Sequence, residues 1–269
     1  MPTLADIIRF IEMRSGHPLN GDEGIQHRPA GAARSNGDAA VCGVTVAWMA
    51  TPDALRFATE KRHDLFVGHE SLYYPYDVIN AKNSPAGWQG WKVNRQRKEL
   101  LDAGGLTFLR AHGSLDNICI FDDFAALFGL GAPVHENGLV KVYEIEPTTV
   151  GELVQRAKRV CQMPAVRVAA PGGTDQIVRR VGLPWGGLGL FVNVGYQQAL
   201  VELSCDVFIA GEADDYGLRF AAEAGIPMIE TSHEISENPG LRRFSEMLAE
   251  AFPELNVAFY ECPCVWEMR

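Results

Sequence analysis

The stretch "LTFLRAHGSLDN", Leu106 to Asn117, changes character at Arg110. An apolar run gives way to an imidazole, His112, and four residues later to a carboxylate, Asp116. A short apolar run bounded by glycine reads as a buried strand. In α/β proteins the loop after such a strand aims polar side chains into a cleft. The fold therefore turns on whether the rest of the chain repeats this strand, loop and helix pattern.

It does, in both directions. "VCGVTVAWM" (Val41 to Met49) and "DLFVGHESL" (Asp64 to Leu72) are strand-like. Between them Thr51-Pro52-Asp53 carries a helix start, with Thr51 as the cap and Pro52 in the first turn. Helices are expected near Val93 to Ala103 and from Ile118 to Gly129. "MPTLADIIRFIEMRSGHP" reads as an amphipathic helix, and the turn-rich Gly21 to Ala40 as a long loop or hairpin. Beyond Leu139 come the strand "LVKVYEIE", a helix under a Thr149 cap, and the strands "AVRVAA" and "QIVRRVGL". The glycine-rich "PWGGLG" (Pro184 to Gly189) precedes a helix near Phe191 to Leu203. "DVFIAGE", a helix to Ala224, "PMIETSHE", a helix through Phe252 and "NVAFYE" complete the alternation. The expected class is α/β, with mixed sheets flanked by helices in two lobes. Residues 1–135 with 190–269 form the metal-binding lobe in this reading, so that N- and C-terminal segments meet, and 136–189 form a smaller middle lobe.

Composition narrows the function. The chain has 269 residues, 47% hydrophobic, enough for a sizeable core. Its net charge of −10 repels nucleic-acid backbones and acidic membrane surfaces. The densest basic run, "KVNRQRK" (Lys92 to Lys98), reads as a solvated helix face. Six scattered cysteines suit neither a disulfide framework nor a zinc knuckle. With no long apolar run and no signal-peptide core, a soluble cytoplasmic protein is expected.

Three strand exits carry metal-competent residues: His69 and Glu70, His112 and Asp116, and His233, Glu234 and Glu237. Imidazole nitrogen and carboxylate oxygen suit Zn, Fe, Mn or Ni. Spacing alone leaves structural roles open. Asp116 can cap the helix near Ile118, Ser232 or Glu234 can cap the next, and Gly113 is expected to break any helix linking His112 to Asp116. "PWGGLG" lacks both phosphate-loop spacings and reads as close strand–helix packing. No serine sits in a G-x-S-x-G elbow, and Cys119 reads as a buried helix residue.

With these residues in view, the chain resembles the Nif-three-like dinuclear metal centre family, often labelled GTP cyclohydrolase I type 2 homologues. The likeness rests on "GVTVAWMATPDALRFA", "DLFVGHES", "GLTFLRAHGSLDN", "VRRVGLPWGGLG" and the closing "CDVFIAGEADDYGLRFAAEAGIPMIETSHEISENPGL", in order and over nearly the whole length. The resemblance implies metal ligands at His69, Asp116, His233 and Glu237, with His112 nearby as an acid–base group; Glu237 is expected to bridge the two ions, since a bridging carboxylate donates an oxygen to each and screens their repulsion. Glu70 stands where the family has a second adjacent histidine; as an oxygen donor it shifts preference toward Mn or Fe over Zn. Tyr216 replaces a histidine frequent in relatives. The resemblance further implies two divalent cations per subunit, a toroidal homohexamer and a small-molecule substrate. Two functions follow: a metal-dependent hydrolase acting on a nucleotide-like substrate through a bridging hydroxide, or a non-catalytic metal carrier or partner-interaction protein. Arg28, Arg95 and Arg110 are the candidate phosphate contacts for the first.

Overall fold

The computed structural model describes residues 1–19, 21–29, 40–75 and 85–267. In chain order the elements are α1 (Leu4–Ser15), β1 (Gly24–His27), β2 (Gly43–Ala47), α2 (Pro52–Glu60), β3 (Leu65–Gly68), α3 (Lys92–Gly104), β4 (Thr107–Arg110) and the single turn α4 (Gly113–Leu115). There follow α5 (Phe121–Leu127), β5 (His135–Asn137), β6 (Val140–Thr149), α6 (Val150–Val160), β7 (Arg167–Ala169), β8 (Ile177–Gly182) and α7 (Val194–Glu202). Last come β9 (Val207–Ala210), α8 (Asp215–Glu223), β10 (Met228–Glu230), α9 (His233–Ala251) and β11 (Asn256–Tyr260). The chain divides into two compact units, Met1–Cys119 with Gly240–Cys262, and Ile120–Pro239 with Pro263–Arg269.

In the first unit the strands lie in the order β1-β4-β3-β2-β11, parallel except for β1 at the edge. Every residue of β2 and β3 is buried, as expected of a parallel sheet covered on both faces. Ala54, Leu55 and Ala58 of α2 and Leu101 of α3 join Phe66 and Phe108 in one apolar cluster, and those two rings stack at 5.7 Å. The Thr51 hydroxyl accepts the Ala54 amide at 3.2 Å, which caps α2 where the sequence places its start. α1 begins in a Thr3–Asp6 capping box, and its Phe10 ring meets Phe252 at 5.7 Å.

Two expectations need correcting here. The long loop or hairpin expected over Gly21 to Ala40 contains one strand, β1, which pairs antiparallel with the distant β4; residues 30–39 lie outside the described residues. Nor is "KVNRQRK" wholly solvated, since Asn94 and Arg97 turn inward. Arg97 Nη1 donates to the Leu72 carbonyl at 2.6 Å, and Asn94 holds both the amide and the carbonyl of Tyr74. Two buried side chains of α3 thus pin the segment just downstream of His69 and Glu70.

In the second unit the order is β5-β6-β8-β9-β10-β7, with β8, β9 and β10 parallel at the centre. A Thr149–Glu152 capping box starts α6. Leu200 of α7 and Ala221 of α8 pack with Phe208 and Met228. This unit is larger than the expected 136–189 lobe, running from 120 to 239 rather than from 136 to 189. The reason is that β9 and β10 continue the sheet begun by β6 and β8. Among the described residues no helix is long and apolar enough to cross a membrane, and the six cysteines form no disulfide.

Two outcomes follow from this packing. A Cβ on Gly68 would lie 2.5 Å from Phe108 Cζ beneath the His69 exit. Gly68→Ala is therefore expected to cost about 1–3 kcal/mol in denaturant titrations. The second concerns pH. Burial holds the His63 and His27 imidazoles below the ordinary histidine value. Their neutral forms are favoured in the folded state, so the stability they lend is whole above about pH 6.5 and falls as pH drops through the lower folded values. His63→Gln should show a shallower fall in melting temperature between about pH 7 and pH 5 than the wild type; an equal fall would assign the acid sensitivity elsewhere.

Candidate metal centre

β3 and β4 run parallel with Gly68 opposite Arg110, so the residues after them leave the sheet at one edge. His69 emerges there fully buried, its amide held by the Ala47 and Trp48 carbonyls at 3.3 and 3.1 Å. Its Nδ1 donates to the Ala111 carbonyl at 3.3 Å, which directs Nε2 the other way, to 3.8 Å from Asp116 Oδ1. The His69 and His112 rings are 4.7 Å apart. Gly113 does not break the helix: the Asp116 amide donates to the His112 carbonyl at 3.1 Å, and a π-helical turn, Asp116–Ile120, carries the chain on into α5. Asp116 consequently sits one turn beyond His112 on the same face. One ligand atom each from His69, His112 and Asp116 lies within 4.8 Å of the others.

Sequence reasoning missed the residues that hold this group. Asp22 Oδ2 accepts His112 Nδ1 at 3.1 Å and pairs with Arg110 Nη1 at 2.5 Å. Glu23 accepts the His112 amide at 2.8 Å, the Ser114 amide at 2.9 Å and the Ser114 hydroxyl at 3.0 Å. The His112 hydrogen bond and the charges of Arg110 and His112 outweigh partial burial and bring the Asp22 carboxyl down to about 2. Arg110, 1% exposed, also donates through Nε to the His69 carbonyl at 3.1 Å and lies 3.8 Å from Glu70 Oε2. It is thus an internal counter-ion rather than a phosphate contact, and Arg95 bonds the Gly90 carbonyl. The only available signal was "DEG" ahead of a short strand. Its meaning appears once Gly24 is seen to pair with Arg110, placing Asp22 and Glu23 beside the His112 loop.

The second unit repeats the arrangement. Glu230 pairs with Ala210 and Gly182 with Phe208, so the exits of β8, β9 and β10 share an edge. His233 opens α9 there and Glu237 follows one turn on, 3% exposed, its Oε1 3.2 Å from His233 Nε2. Glu212, after β9, places Oε2 3.0 Å from His233 Nδ1. "PWGGLG" is not simple strand–helix packing. A Cβ on Gly186 (φ +51°) would lie 2.2 Å from Glu237 Oε1 and 3.2 Å from His233 Nε2, so the glycine makes room for the two side chains. Tyr216 is exposed, with its ring 5.6 Å from Phe191. His69, Glu70, His112 and Asp116 belong to the first unit, His233 and Glu237 to the second. As donors, these imidazoles and carboxylates fit a borderline or hard divalent cation such as Zn, Fe or Mn.

Comparison with known proteins agrees with this architecture. A protein NIF3 homolog of Schizosaccharomyces pombe is 31% identical over 117 residues, 43% of this chain and 39% of that protein. A GTP cyclohydrolase 1 type 2 homolog of Haemophilus influenzae is 25% identical over 107 residues, 40% of each. The chain thus matches about two fifths of the length of these curated relatives. The crystal structure of Staphylococcus aureus protein SA1388 shares the fold, with a TM-score of 0.76 over 99% of each chain at 16% identity. Residues 24–263 match the model of one family, and the chain belongs to it: Duf34/NIF3 (NGG1p interacting factor 3).

Proposed function

We propose that the protein binds two divalent cations, Fe, Mn or Zn, and uses them to hydrolyse a nucleotide-like substrate, in line with the name of the Haemophilus influenzae relative. The observation that carries this reading is the meeting of His69, His112 and Asp116 ligand atoms within 4.8 Å at a strand edge where His69 is fully buried. His233 and Glu237 add a second pair, and Glu70 adds an oxygen donor that favours Mn or Fe over Zn. Bound cations would supply Lewis acidity and an activated water. The chain's own part is to place protons and exclude solvent. Asp22 takes the Nδ1 side of His112, which leaves Nε2 to hold or pass a proton beside the ligands. Arg110 offsets part of the charge of Asp22 and Glu70.

A second reading, a non-catalytic metal carrier or partner-interaction protein, is favoured by one observation. Arg110, the guanidinium beside the ligands, is engaged by Asp22 and Glu70 rather than presented to a phosphate. Under both readings we also propose a cytoplasmic homohexamer, on the family likeness; a monomeric mass by light scattering would count against the assembly.

Metal analysis tests the ligand set. In a dinuclear centre a bridging carboxylate donates to both ions and screens their repulsion, whereas each histidine serves one. Glu237→Gln is expected to lose most of both metals and His69→Ala mainly one. Two metals per subunit retained in Glu237→Gln would remove Glu237 from the bridge. Screening the metal-loaded protein against GTP, other nucleotides and phosphoesters separates the two functions: turnover that disappears in His112→Gln is expected for the hydrolase, and none with any substrate for the carrier.

A further inference from the structure

His233 lies between two unlike carboxylates. Glu237, on the Nε2 side, is almost wholly buried, while Glu212, on the Nδ1 side, is 46% exposed. We propose that Glu212 is the positioning residue of His233: it accepts the Nδ1 proton and turns Nε2 toward the cation without being a ligand itself. This rests on the metal-binding reading above and names a residue that reading leaves without a role.

The argument begins with the imidazole. A neutral ring offers one nitrogen lone pair, and whichever nitrogen carries the proton cannot bind metal. An acceptor fixed on Nδ1 therefore selects Nε2 as donor, orients the ring and raises its basicity. Glu212 is built for this. Its amide donates to the Gly186 carbonyl at 2.7 Å, and the Ser232 amide donates to the Gly211 carbonyl at 2.8 Å. The loops bearing acceptor and imidazole are thereby tied together. Gly211 has no room for a side chain, since a Cβ would lie 2.4 Å from the Gly186 carbonyl oxygen. On the opposite side of the ring, Gly186 leaves open the volume that Nε2 and Glu237 face.

The first unit supplies independent precedent. His112 Nδ1 faces Asp22 at 3.1 Å and His69 Nδ1 faces the Ala111 carbonyl at 3.3 Å. All three imidazoles thus meet an acceptor through Nδ1, two of them a carboxylate and one a backbone carbonyl. Chance ion pairing on a surface has no reason to choose the same nitrogen each time. An exposed His–Glu pair kept only for stability would contribute little.

The test uses the full-length chain and zinc alone, with affinity measured by competition against a chromogenic chelator. Glu212→Leu is expected to weaken zinc binding roughly 10–100-fold. Glu212→Gln should weaken it less, because its amide oxygen still accepts the proton but lacks the charge. A carboxylate-bonded Nδ1–H gives a downfield proton resonance. Two are expected in zinc-loaded wild type, from His112 on Asp22 and His233 on Glu212, and only the second should be missing in His233→Ala and in Glu212→Leu. If Glu212→Leu lowers the melting temperature of the metal-free protein, the isosteric Gln variant decides, and wild-type affinity there overturns the proposal. Wild-type affinity in Glu212→Leu beside a loss in His233→Ala also overturns it, while the metal reading stands. Unchanged zinc binding in His233→Ala overturns the metal reading at this residue.

Discussion

Parallel pairing in register is the constraint on which both groups of candidate ligands depend. Backbone hydrogen bonds fix Gly68 against Arg110 in one sheet and Ala210 against Glu230 in the other. The residue after each strand therefore has no choice of edge. A slip of one position would send His69 or Glu212 to the opposite face, since side chains alternate along a strand. Burial on both faces of β2 and β3 makes such a slip costly, because every apolar contact would be lost together. The sheets thus act as jigs, and the loops need only short tethers to finish the placement.

Those tethers are largely ionic, which has a cost in the folded state. Among the described residues, Asp22, Glu23, Glu70 and Asp116 stand around the first group, with the Arg110 guanidinium against them. Carboxylates crowded in a low-dielectric place repel one another and resist losing water. Arg110 relieves part of this by meeting Asp22, Glu70 and the His69 carbonyl at once. A divalent cation would relieve more. The same surplus of negative charge would favour a cation over an anion at this place, in keeping with a chain whose net charge is −10.

How much of this was legible follows the range of the interaction involved. Local signals carried well: Thr51 before Pro52 caps α2, Thr149 with Glu152 caps α6, and alternating strands and helices give the class. His69, His112, Asp116, His233 and Glu237 could be named as candidates because each lies at or within a turn of a strand exit whose pattern is plain, although their assignment as ligands came from the family resemblance. Partners across long sequence separations were not visible. Asp22 and Glu23 reach His112 only through β1, four residues with no alternation to announce them. Glu212 reaches His233 only because β9 and β10 are neighbours. The helical link between His112 and Asp116 was misjudged because Gly113 was weighed by propensity alone, whereas the Glu23 carboxylate holds the amides of His112 and Ser114 on either side of it.

Gly186 carries a consequence for how this protein can change over time. Every missense change one nucleotide away from a glycine codon introduces a Cβ. At this position that carbon would fall 2.2 Å from Glu237 Oε1. Drift is closed there unless the carboxylate moves first, whereas Gly113 and Gly195, with nothing within 4 Å of the same atom, stand open to it. Gly211 is closed more firmly still, because there the Cβ would meet the backbone of Gly186, its carbonyl oxygen at 2.4 Å, and a backbone atom cannot swing aside.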